Sequence, residues 1–302
     1  MTKCFLLGAG LGTRLQPLTD VLPKPLTPVV NRPLISHAIK HCNSIGIDSF
    51  AINTHHLPNS WNTGKLKRLH PSSSFSLFFE KDLLETGGDI KNISSFIGED
   101  NILIYNGDLL TDIDIAALIA AHEASNDTVT LALRSSGPNK NVALEGDRVV
   151  DMRHSLGIHP GTHQFTGIYC ISAAILDLIP GGEKLSIVPA FLELAGQGKL
   201  GGIVLDEGHW LDLGDRESYL DAQLEPVHQE KFGPAIHPGA RIDSGARLQN
   251  CVVGDGARIE AGAELSDCVV WPDSHILADA RLSRCIVYSS KPASGSHHGA
   301  DL

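Results

Sequence analysis

The sequence predicts an α/β fold: a mostly parallel sheet with helices on both faces, followed by a short left-handed parallel β-helix. Two observations carry that expectation. Apolar runs at 4–7, 50–53, 75–79, 102–105 and 128–133 alternate with helical patterns, and several are apolar without a polar alternate. Strands buried on both faces between crossover helices read this way. From about Ile236 the helical periodicity disappears and the chain matches itself every 17 residues: Ile242, Ile259 and Ile276; Leu248, Leu265 and Leu282; Cys251, Cys268 and Cys285. Single apolar positions at steps of six, five and six, as in Leu248, Val253, Ile259 and Leu265, fit three short faces per coil with one side chain turned inward from each.

Taken in order, the run 4–7 is a first strand that ends in a glycine-rich loop. Pro33 then occupies a favoured first-turn position, and Leu34, Ala38, Cys42 and Ile45 recur at helical spacing. Helices are also expected over 115–124 and 185–195. In parallel sheets of this kind ligands bind beyond the carboxyl ends of the strands, so the loops there carry the chemistry. The sheet domain is expected over 1–222, a Pro226- and Pro234-containing linker over 223–234, the coil over 235–288 and a frayed tail over 289–302. The cysteine row lacks the paired short spacing of a zinc site and reads as small thiols stacked one coil apart.

Composition narrows the function. The 302 residues are 42% apolar and 20% charged, which is globular, and 24 basic against 35 acidic side chains leave a net charge of −11. An acidic surface argues against nucleic-acid and anionic-membrane partners. No apolar run reaches 18 residues, and the short N-terminal run passes straight into Gly8-Ala9-Gly10 with no cleavage region. With six cysteines in so long a chain, the expectation is a reduced cytoplasmic protein.

The sharpest motif is Gly8-Ala9-Gly10-Leu11-Gly12-Thr13-Arg14. Glycines after a buried strand let backbone N–H groups approach phosphate oxygens. No Gly-Lys-Ser/Thr follows, so it is not a P-loop. Arg14 and Lys24 lie in a stretch stiffened by Pro17, Pro23, Pro25 and Pro28, which restricts where Lys24 can point. Asn106-Gly107-Asp108 follows the strand at 102–105, and a carboxylate there sits where a hard cation could meet phosphates. Further on come Glu80, the run Leu84-Glu85-Thr86-Gly87-Gly88, the segment Phe165-Thr166-Gly167-Ile168-Tyr169, and Trp210-Leu211-Asp212-Leu213-Gly214. His37, His41, His55 and His56 lack a ligand spacing and read as ordinary structural histidines.

On these residues the chain resembles the sugar-1-phosphate nucleotidylyltransferases, whose signature is Gly-x-Gly-Thr-Arg, then Pro-x-Thr, then Pro-Lys-Pro. The resemblance spans about 3–222, with a hexapeptide-repeat domain after it. It implies a Rossmann-like catalytic domain and the reaction of an NTP with a sugar-1-phosphate to give an NDP-sugar and pyrophosphate. It further implies Arg14 and Lys24 as catalytic cations, and Asp108 and Asp212 as ligands of one Mg2+. Gly8, Gly10, Gly12 and Thr13 would hold the nucleotide phosphates. Glu80, Glu85, Thr86, Gly87 and Gly88 would lie at the base, with Asn106, Thr166 and Gly167 also at the substrates. The Leu-Glu-Thr-Gly-Gly variant is like that of N-acetylmuramate-1-phosphate uridylyltransferases and mannose-1-phosphate guanylyltransferase-like proteins, so uracil and guanine both stay open. A Glu-Lys-Pro segment of many members, whose Lys binds the sugar phosphate, is replaced here by 149–154, where Arg153 or His154 could substitute.

Two rival readings differ in class. A non-catalytic relative would keep the fold and lose the charges, yet Arg14, Lys24, Asp108 and Asp212 are all present. A β-helical acyltransferase would need a groove histidine, for which His237 and His275 are the candidates. Self-association through the coil, giving a homo-oligomer, is the plainer expectation.

Overall fold

Nine strands, among the described residues, line up in one sheet in the spatial order 74–79, 49–54, 3–7, 102–106, 163–171, 129–134, 200–204, 148–152 and 140–145. The computed structural model describes residues 1–157, 160–182 and 184–302. The chain divides into two units: Met1–Leu11 with Ala38–Trp210, which holds this sheet, and Gly12–His37 with Leu211–Leu302.

In the first unit all five expected runs are strands: Lys3–Leu7, Ser49–Thr54, Ser74–Phe79, Ile102–Asn106 and Val129–Arg134. The first four pair in parallel, with Phe5 opposite Ala51 and Ile104. The sheet as a whole is mixed, which corrects the mostly parallel expectation. His163–Ile171 runs antiparallel to both Ile102–Asn106 and Val129–Arg134, and Lys140–Glu145 with Arg148–Met152 adds an antiparallel hairpin. Among the described residues no helix separates that hairpin from His163–Ile171, so none of them carries the chain back for a parallel entry.

Both faces are covered, because strand residues of both parities are buried. Phe5, Ala51, Ile102, Ile104 and Leu131 share a core with Ile90, Ile93 and Ile97 and with Phe191 and Leu194 of the helix Val188–Gly196. On the opposite face lie Leu6, Ile52, Leu103 and Tyr105. There His41, from the helix Leu34–Asn43, hydrogen-bonds the Tyr105 hydroxyl through Nδ1 at 3.2 Å. His122, from the helix Ile115–Ala124, reaches Thr130 Oγ1 through Nδ1 at 2.9 Å. Pro33 ends a short strand just ahead of the helix Leu34–Asn43 instead of lying in its first turn. The helix expected from 185 begins at Val188, because the backbone of Leu185 is held elsewhere.

The second unit opens with three single 3-10 turns, Thr13–Leu15, Leu18–Asp20 and Lys24–Leu26, and a hairpin of Pro28–Val29 with Arg32–Pro33. Val30 N–H donates to Gln223 Oε1 at 3.1 Å, and Asn31 Nδ2 donates to the Pro234 carbonyl at 2.7 Å. The coil then forms three parallel ladders in the expected 17-residue register, with Leu248, Leu265 and Leu282 in one row and Ile242, Ile259 and Ile276 in another. The thiols of Cys251, Cys268 and Cys285 stack as a third row, and each donates to the carbonyl two residues earlier at 3.1–3.3 Å.

Two segments differ from expectation. Residues 223–234 are not an open linker, since Pro226–Phe232 is a helix started by its proline. Residues 289–302 are not a frayed tail: Ser296–His298 pairs in parallel with Arg281–Ser283, Ile276 bridges Ala293, and Ile286 bridges Asp301. The side of the coil that carries Val269 and Ile286 is buried. Trp271 Nε1 donates to Tyr219 Oη at 2.9 Å, and Tyr219 Oη donates to the Pro28 carbonyl at 2.5 Å. Arg216 donates to Asp301 Oδ1 and to the Arg284 carbonyl, each at 2.8 Å.

Candidate active site

The first unit gathers its motifs at the carboxyl ends of neighbouring strands. Leu7 pairs with Asn106, and Gly107 N–H donates to the Leu7 carbonyl at 3.0 Å, so the Asn106-Gly107-Asp108 loop starts beside the glycine-rich loop. Gly167, at φ +80°, lies against Asn106; a Cβ there would come within 2.5 Å of Asn106 Nδ2. Thr166 is held by its hydroxyl to the Ala132 carbonyl, and its own carbonyl accepts from Trp210 Nε1 at 2.9 Å. Packing explains Gly8, since a Cβ would meet the Asn53 carbonyl at 2.8 Å and the Trp61 ring at 3.0 Å. At Gly10 it would meet nothing within 4 Å, so that backbone is open to approach.

The second unit brings together two motifs nearly two hundred residues apart. Gly12 adopts φ +63°, and a Cβ on it would press on Thr19 and Lys24. Lys24 is only 6% exposed, yet its Nζ lies 3.7 Å from Oδ1 of the half-exposed Asp212. The Arg14 guanidinium lies over Gly214, with both terminal nitrogens 3.0 Å from where a Cβ would be. Asp215 accepts from Ser218 N–H and caps the helix Arg216–Leu224; that bond, with Arg14 nearby, holds its carboxyl below the usual range. Arg14, Lys24 and Asp212 therefore converge, and Gly12 and Gly214 leave them room.

The Leu84–Gly88 segment behaves differently from its expected part as a set of amide edges for a base. Gly87 and Gly88 N–H both donate to the Leu185 carbonyl, at 2.8 and 3.2 Å, and Leu185 N–H donates back to Leu84. The glycines serve this strap, for a Cβ on Gly87 would sit 2.7 Å from the Leu185 oxygen. Glu85 takes φ +58°, a left-handed conformation unfavourable for a non-glycine residue, and pairs with Lys184 at 3.5 Å. Thr86 is partly buried beside it and Thr13 is exposed.

Glu80 also departs from its expected place at the base edge. It is 2% exposed, and Asn53 Nδ2 donates to its Oε1 at 2.8 Å. Asn53 Oδ1 in turn accepts from Gly8 N–H at 2.7 Å. Asp89, on the helix Glu85–Asn92, lies within hydrogen-bonding reach of Glu80. Burial, reinforced by the Glu80 charge, pushes the Asp89 carboxyl up to about 8, and burial raises Glu80 as well. Sequence reasoning missed Asn53 and Asp89; the one available signal was an acidic residue directly after Gly87-Gly88.

Where the Glu-Lys-Pro lysine is missing, Arg153 and His154 form a tight turn at φ +55° and +53°, closed by Ser155 N–H on the Met152 carbonyl at 3.0 Å. His37 bonds the Val29 carbonyl through Nε2 and His55 bonds the Glu80 carbonyl through Nδ1, which are structural uses. In the coil, His275 pairs with Glu260 at 2.9 Å and His237 with Asp255 at 3.2 Å. Among the described residues no group of three or more His, Cys, Asp or Glu side chains is arranged to hold a metal. No helix of the described residues is long and apolar enough to cross a membrane.

Comparison with known proteins identifies the family. Residues 3–143 match the family described as Nucleotidyl transferase, and residues 229–292 match GlmU-like, C-terminal hexapeptide. D-glycero-alpha-D-manno-heptose 1-phosphate guanylyltransferase of Aneurinibacillus thermoaerophilus is 30% identical over 230 residues, covering 75% of this chain and 99% of that protein. Mannose-1-phosphate guanylyltransferase of Mycobacterium tuberculosis is 29% identical over 259 residues, covering 80% and 72%. The solved UDP-glucose pyrophosphorylase from Acinetobacter baumanii superposes with a TM-score of 0.63 at 20% identity, covering 77% of this chain and 97% of that one, and so shares the fold. The chain belongs to the sugar-1-phosphate nucleotidylyltransferase family.

Proposed function

We propose that the protein transfers a nucleotidyl group from an NTP to a sugar-1-phosphate, releasing pyrophosphate. The observation that carries this reading is the convergence of Arg14, Lys24 and Asp212 about Gly12 and Gly214. The chemistry joins two anions, so the protein must supply positive charge and alignment; a phosphate oxygen is already a nucleophile and needs no general base. Arg14, exposed over its glycine seat, is suited to the charge that builds on the departing pyrophosphate. Lys24, held nearly out of water, is suited to the α-phosphate, where a preorganised cation acts most strongly on the transition state. The exposed turn at Arg153–His154 is the proposed source of the cation for the sugar phosphate.

Asp108 and Asp212 are each proposed as hard oxygen donors of the kind that suit Mg2+. When bound, the ion would supply Lewis-acid stabilisation of phosphate charge. The two named relatives support GTP as the nucleotide, and the Leu-Glu-Thr-Gly-Gly variant keeps UTP as the second choice. We assign catalysis to the motifs of 1–222 and read the coil as a left-handed hexapeptide β-helix that serves assembly into a homo-oligomer. A cytoplasmic location accords with six free cysteines.

The test is a matrix of four NTPs against mannose-, heptose-, glucose- and N-acetylmuramate-1-phosphates, with pyrophosphate detection. Pyrophosphate release that needs both substrates is expected, and Arg14→Ala and Asp108→Asn should each lower it about a hundredfold. Release without a sugar phosphate, or none in any combination, would overturn the reading.

A further inference from the structure

The buried carboxyls of Glu80 and Asp89 have no part in the chemistry above, and they are joined to the glycine-rich loop. Glu80 is 2% exposed and Asp89 7%. Each keeps one oxygen, Glu80 Oε2 and Asp89 Oδ1, that receives no hydrogen bond. Yet the two side chains are within hydrogen-bonding reach of each other. Two carboxylates are both acceptors, so that bond exists only with a proton between them. Two ionised carboxylates this close and this dry would repel strongly, and one shared proton removes the repulsion.

The balance of neighbours favours that state. Asn53 donates to Glu80, and its amide also reaches Asp89. The Leu84 backbone N–H lies on the Glu80 side, which suits a charge on Glu80 and leaves the proton to Asp89. Glu85, on the same helix, adds negative potential at Asp89, and Lys184 partly offsets it. His55 lies on the Glu80 side. The Tyr169 hydroxyl, fully buried and without a hydrogen-bond partner, feels the Asp89 charge from the strand His163–Ile171.

We propose that Glu80 and Asp89 share one proton, and that the pair acts through Asn53 to set the direction of Gly8 N–H at the start of the phosphate loop. Asn53, Glu80 and Asp89 are then positioning residues, and the loop carries a built-in alkaline limit. When the proton leaves, the carboxylates separate. Asn53, bonded to Glu80, shifts with it, and the Gly8 amide it holds turns from its place. Likewise the helix Glu85–Asn92, strapped to Leu185, loses its anchor on the sheet. The consequence for ligand binding rests on the nucleotide reading above; the shared proton itself does not.

The experiment measures GTP affinity with Mg2+ present, from pH 6 to 9.5, for the full chain and for Asp89→Asn. The asparagine amide donates to Glu80 at every pH and so replaces the proton permanently. In the unsubstituted chain, affinity should be level to about pH 7.5 and then weaken up to about tenfold per pH unit, as release of one proton requires. Asp89→Asn should bind with a flat profile. Glu80→Gln, which donates to Asp89 instead, serves the same purpose if Asp89→Asn does not fold. Matching profiles in the parent and the amide variants would overturn the proposal. If GTP and UTP do not bind at any pH, the nucleotide reading fails, and thermal unfolding judges the pair alone. Stability of the parent relative to Asp89→Asn should fall between about pH 5 and 8, and no difference in slope would overturn the shared proton.

Discussion

Replacing Lys24 with methionine separates its chemical role from its structural one. The ammonium lies 3.7 Å from Asp212. At an effective dielectric constant of 20 this separation corresponds to about 4 kcal/mol of attraction. Against it stands the cost of keeping Lys24 at 6% exposure, on the order of several kcal/mol for an ion withdrawn from water. Asp212 is 46% exposed on its side chain, so solvent weakens the attraction and keeps the carboxylate hydrated once its partner is gone. The two terms nearly cancel, and a methionine of similar length fills the space. Lys24→Met should therefore change unfolding free energy by about 1 kcal/mol or less, in either direction. Turnover is another matter. A preorganised charge aimed at developing phosphate charge contributes about 2.7 to 4 kcal/mol, so kcat/KM should fall by a factor of about a hundred to a thousand. Denaturant unfolding and a coupled pyrophosphate assay on the same sample read both quantities. Near-normal turnover would refute the electrostatic role, and a stability loss of about 3 kcal/mol would mean that Lys24 is chiefly a structural ion pair.

Other consequences can be checked separately. Gly87→Ala places a methyl 2.7 Å from the Leu185 carbonyl and should break the strap, raising KM for the NTP more than it lowers kcat. Asp215→Ala removes the cap of the helix Arg216–Leu224 and should cost about 1 kcal/mol, read as a lower denaturation midpoint. Arg216→Ala strands the largely buried Asp301 carboxylate and should cost about 3 kcal/mol, with partial recovery on adding Asp301→Asn. The Asp89 carboxyl, raised in the folded state, favours the fold fully below its unfolded value. That stability is lost as pH climbs toward about 8, at about 1.4 kcal/mol per pH unit, and levels off above. Urea unfolding at several pH values checks the slope against Asp89→Asn.

Much of this architecture is legible in the amino-acid order, and the illegible parts have physical reasons. The strands 3–7, 49–54 and 102–106 are visible because burial on both faces leaves their centres, 4–7, 50–52 and 102–105, as unbroken apolar runs. The direction of His163–Ile171 is not visible, since Thr166 and Gly167 sit at an irregularity in its pairing and strand polarity leaves no compositional trace. The coil declares itself wherever a row demands one residue type. Its closing turn hides, because His297 occupies the Leu282 row at an exposed end where no apolar residue is required. Arg14, Lys24 and Asp212 are readable as charges in stiff, glycine-flanked motifs. The Asn53–Glu80–Asp89 chain is not, because each member belongs to a different element and only their adjacency in the fold joins them. Gly87 and Gly88 are legible as small, but not the reason the fold gives for it, which is the close approach of the Leu185 carbonyl.

The grouping of Gly12–His37 with Leu211–Leu302 bears on how a cell makes this molecule. Pro28 waits for Tyr219, and Tyr219 waits for Trp271. On a ribosome that releases the chain from its amino end, Val29 and Val30, wholly buried at the finish, emerge long before their cover is translated. The sheet-bearing unit, whose own residues run only to Trp210, can settle in the meantime. The stretch bearing Arg14 and Lys24 hangs loose until then, a period in which chaperones and proteases have their best access to it.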